Sequence, residues 1–143
     1  MQQLFITATG GPEVLQLREA PDPLPTPGNL RIRAKAAGVN FAAIMARPGL
    51  SPDAPKLPAV VGYEVSGLVD AIGPGVPGEW LGKEAFALTR FGGYADAVVV
   101  PLGQVFEKPP TLTHAECATI PVNYLTAWQL LVVVGSLSDD ETV

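Results

Sequence analysis

The sequence predicts a mainly β domain with a few short helices, curled into a partly open barrel and followed by a helical tail. Three observations carry that expectation. Short β-prone runs recur between clusters of glycine and proline. One of them, Leu30 to Lys35, alternates apolar Leu30, Ile32 and Ala34 with Arg31, Arg33 and Lys35, the period of a strand with one buried face. The sustained helical signals come only after Thr113.

Taken in order, Gln2 to Thr7 is β-prone, and Gly10-Gly11-Pro12 separates it from Val14, Leu15 and Leu17, giving two strands around a turn. Pro21, Pro23, Pro25 and Pro27-Gly28 form an extended loop before the Leu30 strand. A short helical turn over Phe41 to Arg47 is stopped by Pro48-Gly49. Beyond the proline-rich loop 51–58, Val60 to Ile72 reads as one apolar strand, curved or bulged at Gly62 and Gly67 and closed by Gly73-Pro74-Gly75. Strands at Ala85 to Leu88 and Tyr94 to Val100 complete the body, and closure removes the open edges of strands this short. Thr113 with Glu116 three residues on forms a capping box, and Pro121 starts a second helix that runs to Val134 and stops at Gly135.

A chain of 143 residues buries one ordinary core, so a single compact unit is expected, with 1–120 as the body and 121–143 as a helix leading out of it. Net charge is -5 and the nine Lys and Arg are scattered, so no basic patch marks a nucleic-acid partner. The longest apolar run, Leu130 to Val134, is far below the ~18 to 20 residues of a membrane span. Met1-Gln2-Gln3 opens no export signal, and the lone Cys117 makes no internal disulfide; both fit the cytoplasm.

The run Gly62-Tyr63-Glu64-Val65-Ser66-Gly67, with Gly73 and Val76 beyond, resembles the glycine and glutamate signature of the medium-chain dehydrogenase/reductase superfamily. Ala8 to Leu15, Ala36 to Phe41, Gly92-Gly93-Tyr94-Ala95 and Ile120-Pro121 through Ala127 join it in family order. Asn40 to Ala42 and Met45 to Arg47 are similar to runs in the zinc-independent quinone oxidoreductases, zeta-crystallin-like, and in the related vesicle amine transport group. The resemblance implies a GroES-like, partly open β-barrel that forms a catalytic domain. Family members add a Rossmann domain and a return segment. No Gly-x-Gly-x-x-Gly follows a strand here, so the expectation is the front part of such an enzyme, lacking the pyrophosphate cradle and inactive alone. The implied cofactor of the full-length protein is NADPH or NADH.

Where zinc-dependent relatives place Cys, His and Cys, this chain has Asn40, Tyr63 and a position near Val122, and no cysteine-rich loop lies between Thr89 and Gly93. No metal is therefore expected. Alkoxide stabilisation by a Lewis acid is then lost, which favours an acceptor already electrophilic, a quinone or an activated enone or enal.

The resemblance assigns catalytic roles to Asn40 and Tyr63, cofactor contact to Asn40 and Thr126, and a substrate pocket to Phe41, Met45 and Tyr63. Each has a plainer alternative. Asn40 could cap the helix at Phe41 as an Asx turn, Thr126 could bond its own backbone, and Tyr63 could be core with a satisfied hydroxyl. Glu64 reads as a carboxylate acting behind the site or paired with a base such as Arg47. His114, inside the capping box, reads as solvated and without a catalytic role. Gly62, Gly67 and Gly73 read as backbone geometry. The closing Glu141-Thr142-Val143 admits recognition of a free carboxyl end, but an abrupt end inside a fold explains it better. Ala43, Met45 and Ser51 depart from the quinone reductase pattern and widen the pocket, which also admits a non-catalytic binding or interaction protein on the same fold. A co-chaperonin-like barrel would not need Asn40, Thr126 and the tail together. Tyr124, Leu125, Trp128, Leu131 and Val132, spaced by threes and fours, make an apolar stripe that predicts a homo-oligomer unless another domain covers it.

Overall fold

A computed structural model describes residues 1–138 and 140–142. Eight strands are present among them: β1 (Gln2–Ile6), β2 (Leu15–Glu19), β3 (Asn29–Ala37), β4 (Ala59–Val60), β5 (Glu64–Ile72), β6 (Glu84–Leu88), β7 (Ala97–Pro101) and β8 (Val105–Glu107). They form two sheets, in the orders β2-β1-β4 and β7-β3-β5-β6-β8, with antiparallel pairing throughout. The alternation read at Leu30 is real: Leu30 and Ile32 are fully buried, while Arg31 and Arg33 face Asp70 across the strand pair. Leu30, Ile32, Val65, Val69, Ala85 and Val100 centre the main core.

The larger sheet curls because its central pair is bulged. Lys35 is an extra residue on β3 opposite Ser66 and Gly67, and Asp70 is an extra residue on β5 opposite Arg31 and Ile32. Tyr94 to Asp96 hold the two sheets together, through Leu4 N to Tyr94 O (2.8 Å) and Asp96 N to Gln2 O (2.9 Å). The partly open β-barrel expected from the sequence is what forms.

Three readings are corrected. Val60 to Ile72 is two strands in different sheets, because Gly62 takes φ +103° and a Cβ there would meet the Tyr94 ring and backbone N at 2.7 Å. The last long strand begins at Ala97, since Tyr94 to Asp96 serve the joint between sheets. Strand β8 was not legible; three residues are too few to show a period.

Helix α1 (Phe41–Ala46) packs Ala43 and Ala46 against Ile6 and Val61. The capping box at Thr113 is formed in full: its side chain accepts from Glu116 N and its own N–H donates to the Glu116 carboxylate. From there a helical tail runs over His114–Val134. It consists of α2 (His114–Cys117), α3 (Leu125–Trp128) and wide turns at Ile120–Tyr124 and Gln129–Val134. The apolar run at Leu130 is thus part of a 21-residue helix long and apolar enough to cross a membrane. Length and composition alone do not make it a span, since a helix that docks on a second domain has both. The C-terminal carboxylate of Val143 lies outside the described residues.

Candidate active site

A cleft of about 550 Å³ opens between the barrel and the tail. Tyr63 and Leu88 line it from the barrel; Val122, Thr126, Gln129 and Leu130 line it from the tail. The lining is largely apolar, with Tyr63, Thr126 and Gln129 as its polar side chains.

Behind the cleft lies a fully buried carboxylate. Glu64 begins β5, and its Oε1 accepts from Asn40 Nδ2 at 2.6 Å while its Oε2 accepts from Val122 N at 2.8 Å. Pro121 has no N–H, so Val122 offers one of the free donors at the start of a helical segment, and a carboxylate is the partner such an end favours. Glycine is required at Gly38, where a Cβ would run into Glu64 and the Ala118 carbonyl oxygen. The partner expected for Glu64 is corrected: Arg47 instead donates to Gly10 O at 2.6 Å.

Asn40 sits at the N-terminus of α1 but makes no capping bond with its side chain, so the Asx alternative fails. Its amide nitrogen is committed to Glu64, which leaves Oδ1 buried and without a partner. The hydroxyls of Tyr63 and Tyr94 are buried and unpartnered as well. Burial and then Asp53 push the Tyr63 phenol upward; burial, Glu64 and Tyr63 do the same to Tyr94. Both are thereby held as neutral donors. Sequence reasoning passed over Tyr94, although Gly92-Gly93-Tyr94-Ala95 was visible as a motif; its place beside Glu64 depends on the bond from its N–H to Val61 O at 2.9 Å.

The structure brings Tyr63 and Thr126 together across the cleft, while Asn40, bound to Glu64, is not in its lining. Phe41 and Met45 are not in the lining of that cleft: Phe41 is 74% exposed on α1 and Met45 is half-buried on the same helix. His114 is not solvated; its ring contacts Ser66 and Glu84. Of the three unpartnered polar atoms, the Tyr63 hydroxyl belongs to a residue of the cleft lining, and those of Asn40 and Tyr94 lie outside that lining. An amide oxygen such as Asn40 Oδ1 is an acceptor only, and a phenol such as Tyr63 can donate. Asn40, Tyr63 and Val122 offer no thiolate or imidazole, and no group of three or more His, Cys, Asp or Glu that could hold a metal occurs among the described residues.

Comparison with known proteins places this geometry. The family described as the alcohol dehydrogenase GroES-like domain matches residues 26–110. The human synaptic vesicle membrane protein VAT-1 homolog is 40% identical over 142 residues, covering 98% of this chain and 36% of that protein. A mycobacterial protein solved in complex with NADPH superposes with a TM-score of 0.91 at 34% identity, over 99% of this chain and 44% of that one. A structure described as a mycobacterial quinone oxidoreductase gives 0.83 at 34% identity, with the same coverage of 99% and 44%. The chain spans about a third of the length of the curated VAT-1 relatives it matches.

Proposed function

The chain belongs to the alcohol dehydrogenase GroES-like domain family, and from that premise we propose that it is the substrate-side part of a metal-free oxidoreductase that moves a hydride from NADPH or NADH to a quinone or an activated enone or enal. The observation that carries the reading is a largely apolar cleft lined by Tyr63, whose hydroxyl is unpartnered, and by Thr126, with Asn40, Tyr63 and Val122 at the positions where zinc relatives carry ligands. When bound, the reduced nicotinamide supplies the hydride.

The chain's own residues supply orientation and charge stabilisation. Tyr63 donates its hydroxyl proton as a hydrogen bond to the acceptor oxygen, where negative charge gathers as the double bond or quinone is reduced. Asn40, with its nitrogen held by Glu64, presents Oδ1 in a fixed direction to an N–H donor. Thr126 meets the same ligand from the tail, and Leu88, Leu125 and Leu130 exclude water. Residues 1–120 act as the substrate-side domain, and 121–143 lead toward a dinucleotide-binding domain. The greater length of the relatives supports that division. The single cysteine, Cys117, supports a cytoplasmic reading, and the exposed apolar tail supports a homo-oligomer.

Kinetics of the full-length protein test this. Asn40→Ala and Thr126→Ala each lower kcat/KM about 10-fold, a loss of about 1.4 kcal/mol of transition-state interaction, and activity survives chelation. Unchanged kcat/KM in both variants would move the site elsewhere. Failure to oxidise NADPH or NADH with any quinone, enone or enal would leave a binding protein on the same fold.

A further inference from the structure

The start of the tail carries a second polar cluster. His114 Nδ1 lies 2.8 Å from Ser66 Oγ on β5, and its Nε2 lies 3.2 Å from Glu84 Oε1 on β6. Glu84 Oε2 is 3.1 Å from Lys108 Nζ, and Ser66 Oγ is also 3.0 Å from Ala85 O. A serine, a histidine and a carboxylate in line have the composition of a nucleophile with its base. Ser66 is fully buried, however, so no acyl donor reaches it, and the cluster is not a hydrolytic site.

Its position points to a different use. Glu64 and Ser66 are two apart on β5, so their side chains leave the same face of the strand. The tail is therefore pinned to one face of β5 twice, by His114 on Ser66 and by Val122 N on Glu64. Ser66 has one hydroxyl proton for two acceptors. With a neutral ring carrying its proton on Nε2 toward Glu84, Nδ1 takes the Ser66 proton and Ala85 O loses that bond. With both ring nitrogens protonated, Nδ1 donates to Ser66 Oγ, the Ser66 proton turns to Ala85 O, and Nε2 makes a charged bond to Glu84. Protonation turns the His114–Glu84 hydrogen bond into an ion pair between tail and barrel and restores the Ser66–Ala85 bond within the barrel. Glu84 on β6 and Glu116 on α2 favour the added charge. Lys108 after β8 and the N-terminal end of the helix oppose it, and Cys117 on α2 remains a neutral thiol.

We propose that His114 is a positioning residue whose protonation clamps the tail to β5 and β6 and so tightens the placement of Val122 and Thr126 at the cleft. Only the catalytic consequence rests on the reductase reading; the clamp itself is a property of this chain. His114 is the single histidine of the sequence, so its ring signals are unambiguous. Nuclear magnetic resonance on this chain follows the ring through its titration together with the hydrogen-exchange protection factors of the Val122 and Thr126 amides. As the ring loses its proton, protection falls about two- to fivefold, the size of one partly exposed ion pair, with the midpoint of the ring. His114→Gln flattens that dependence; should it fold poorly, Glu84→Gln, which keeps an acceptor for Nε2 but removes the ion pair, is expected to halve it or more. Protection that stays flat through the wild-type titration, or that keeps the same pH dependence in both variants, overturns the proposal. The reductase reading would stand regardless, because its test is the kinetics of Asn40 and Thr126.

Discussion

Glu64 holds a carboxylate entirely out of water, and its two partners come from 24 and 58 residues away in the chain. That separation is why the partner could not be read from sequence: an apolar run flags a buried acid but carries no information about which distant donors fold onto it. Arg47, the local base, was the natural expectation, and the turn after α1 sends it to Gly10 instead. The consequence is energetic. Glu64→Ala leaves the buried Asn40 amide and the half-buried Val122 N–H without their acceptors, at about 1 to 3 kcal/mol for the first and less for the second, so urea unfolding of this chain is expected to show a loss of about 2 to 3 kcal/mol. Glu64→Gln keeps one acceptor oxygen and falls between. A loss under about 1 kcal/mol for the alanine variant would mean that water replaces the carboxylate and that the tail is not anchored there.

Strands long enough to show a period of two were legible, as β3 was, and so was the capping box, which is local. What escaped needed torsion or length that hydropathy does not report: Gly62 turns the chain between sheets where the sequence suggested only a bend in one strand, and β8 is too short for any pattern. The bulge at Asp70 also has a charge consequence. Asp70 receives Arg31 and Arg33, while Arg33 also reaches Asp22 in the proline-rich loop, where Asp22 meets the N-terminal ammonium. The hydrogen bond from Arg33, followed by that from the N-terminus, pulls the Asp22 carboxyl down to about 2; at Asp70 burial pushes upward but the bonds from Arg31 and Arg33 outweigh it. Folded values below the ordinary 3.8 mean that the contribution is present above that pH and is lost as pH falls toward about 2. Melting temperature is therefore expected to drop over that interval, less steeply in Arg33→Gln and less steeply at high salt, because the pairs are partly exposed. Identical acid profiles for the two proteins would remove the network from the stability of β3 and β5.

At the scale of the whole molecule the barrel is well buried and the tail is not. Tyr124, Leu125, Trp128, Leu131 and Val132, the stripe read from the sequence, are all exposed in the folded chain, with Trp128 at 59%. Val133 and Val134 extend that surface, and within His114–Val134 full burial is confined to the first turns, where Cys117, Ala118 and Pro121 meet the barrel. An apolar surface of this extent is costly in water and is covered in a stable assembly. In solution the cover available to this chain alone is a second copy, so light scattering is expected to show association that grows with concentration. Trp128→Lys combined with Leu131→Lys should return the chain to a monomer without loss of melting temperature, because neither side chain contributes to the core clusters. A wild-type chain that stays monomeric at all concentrations, or a double variant that associates as strongly, would show that the tail folds back or that another surface mediates contact.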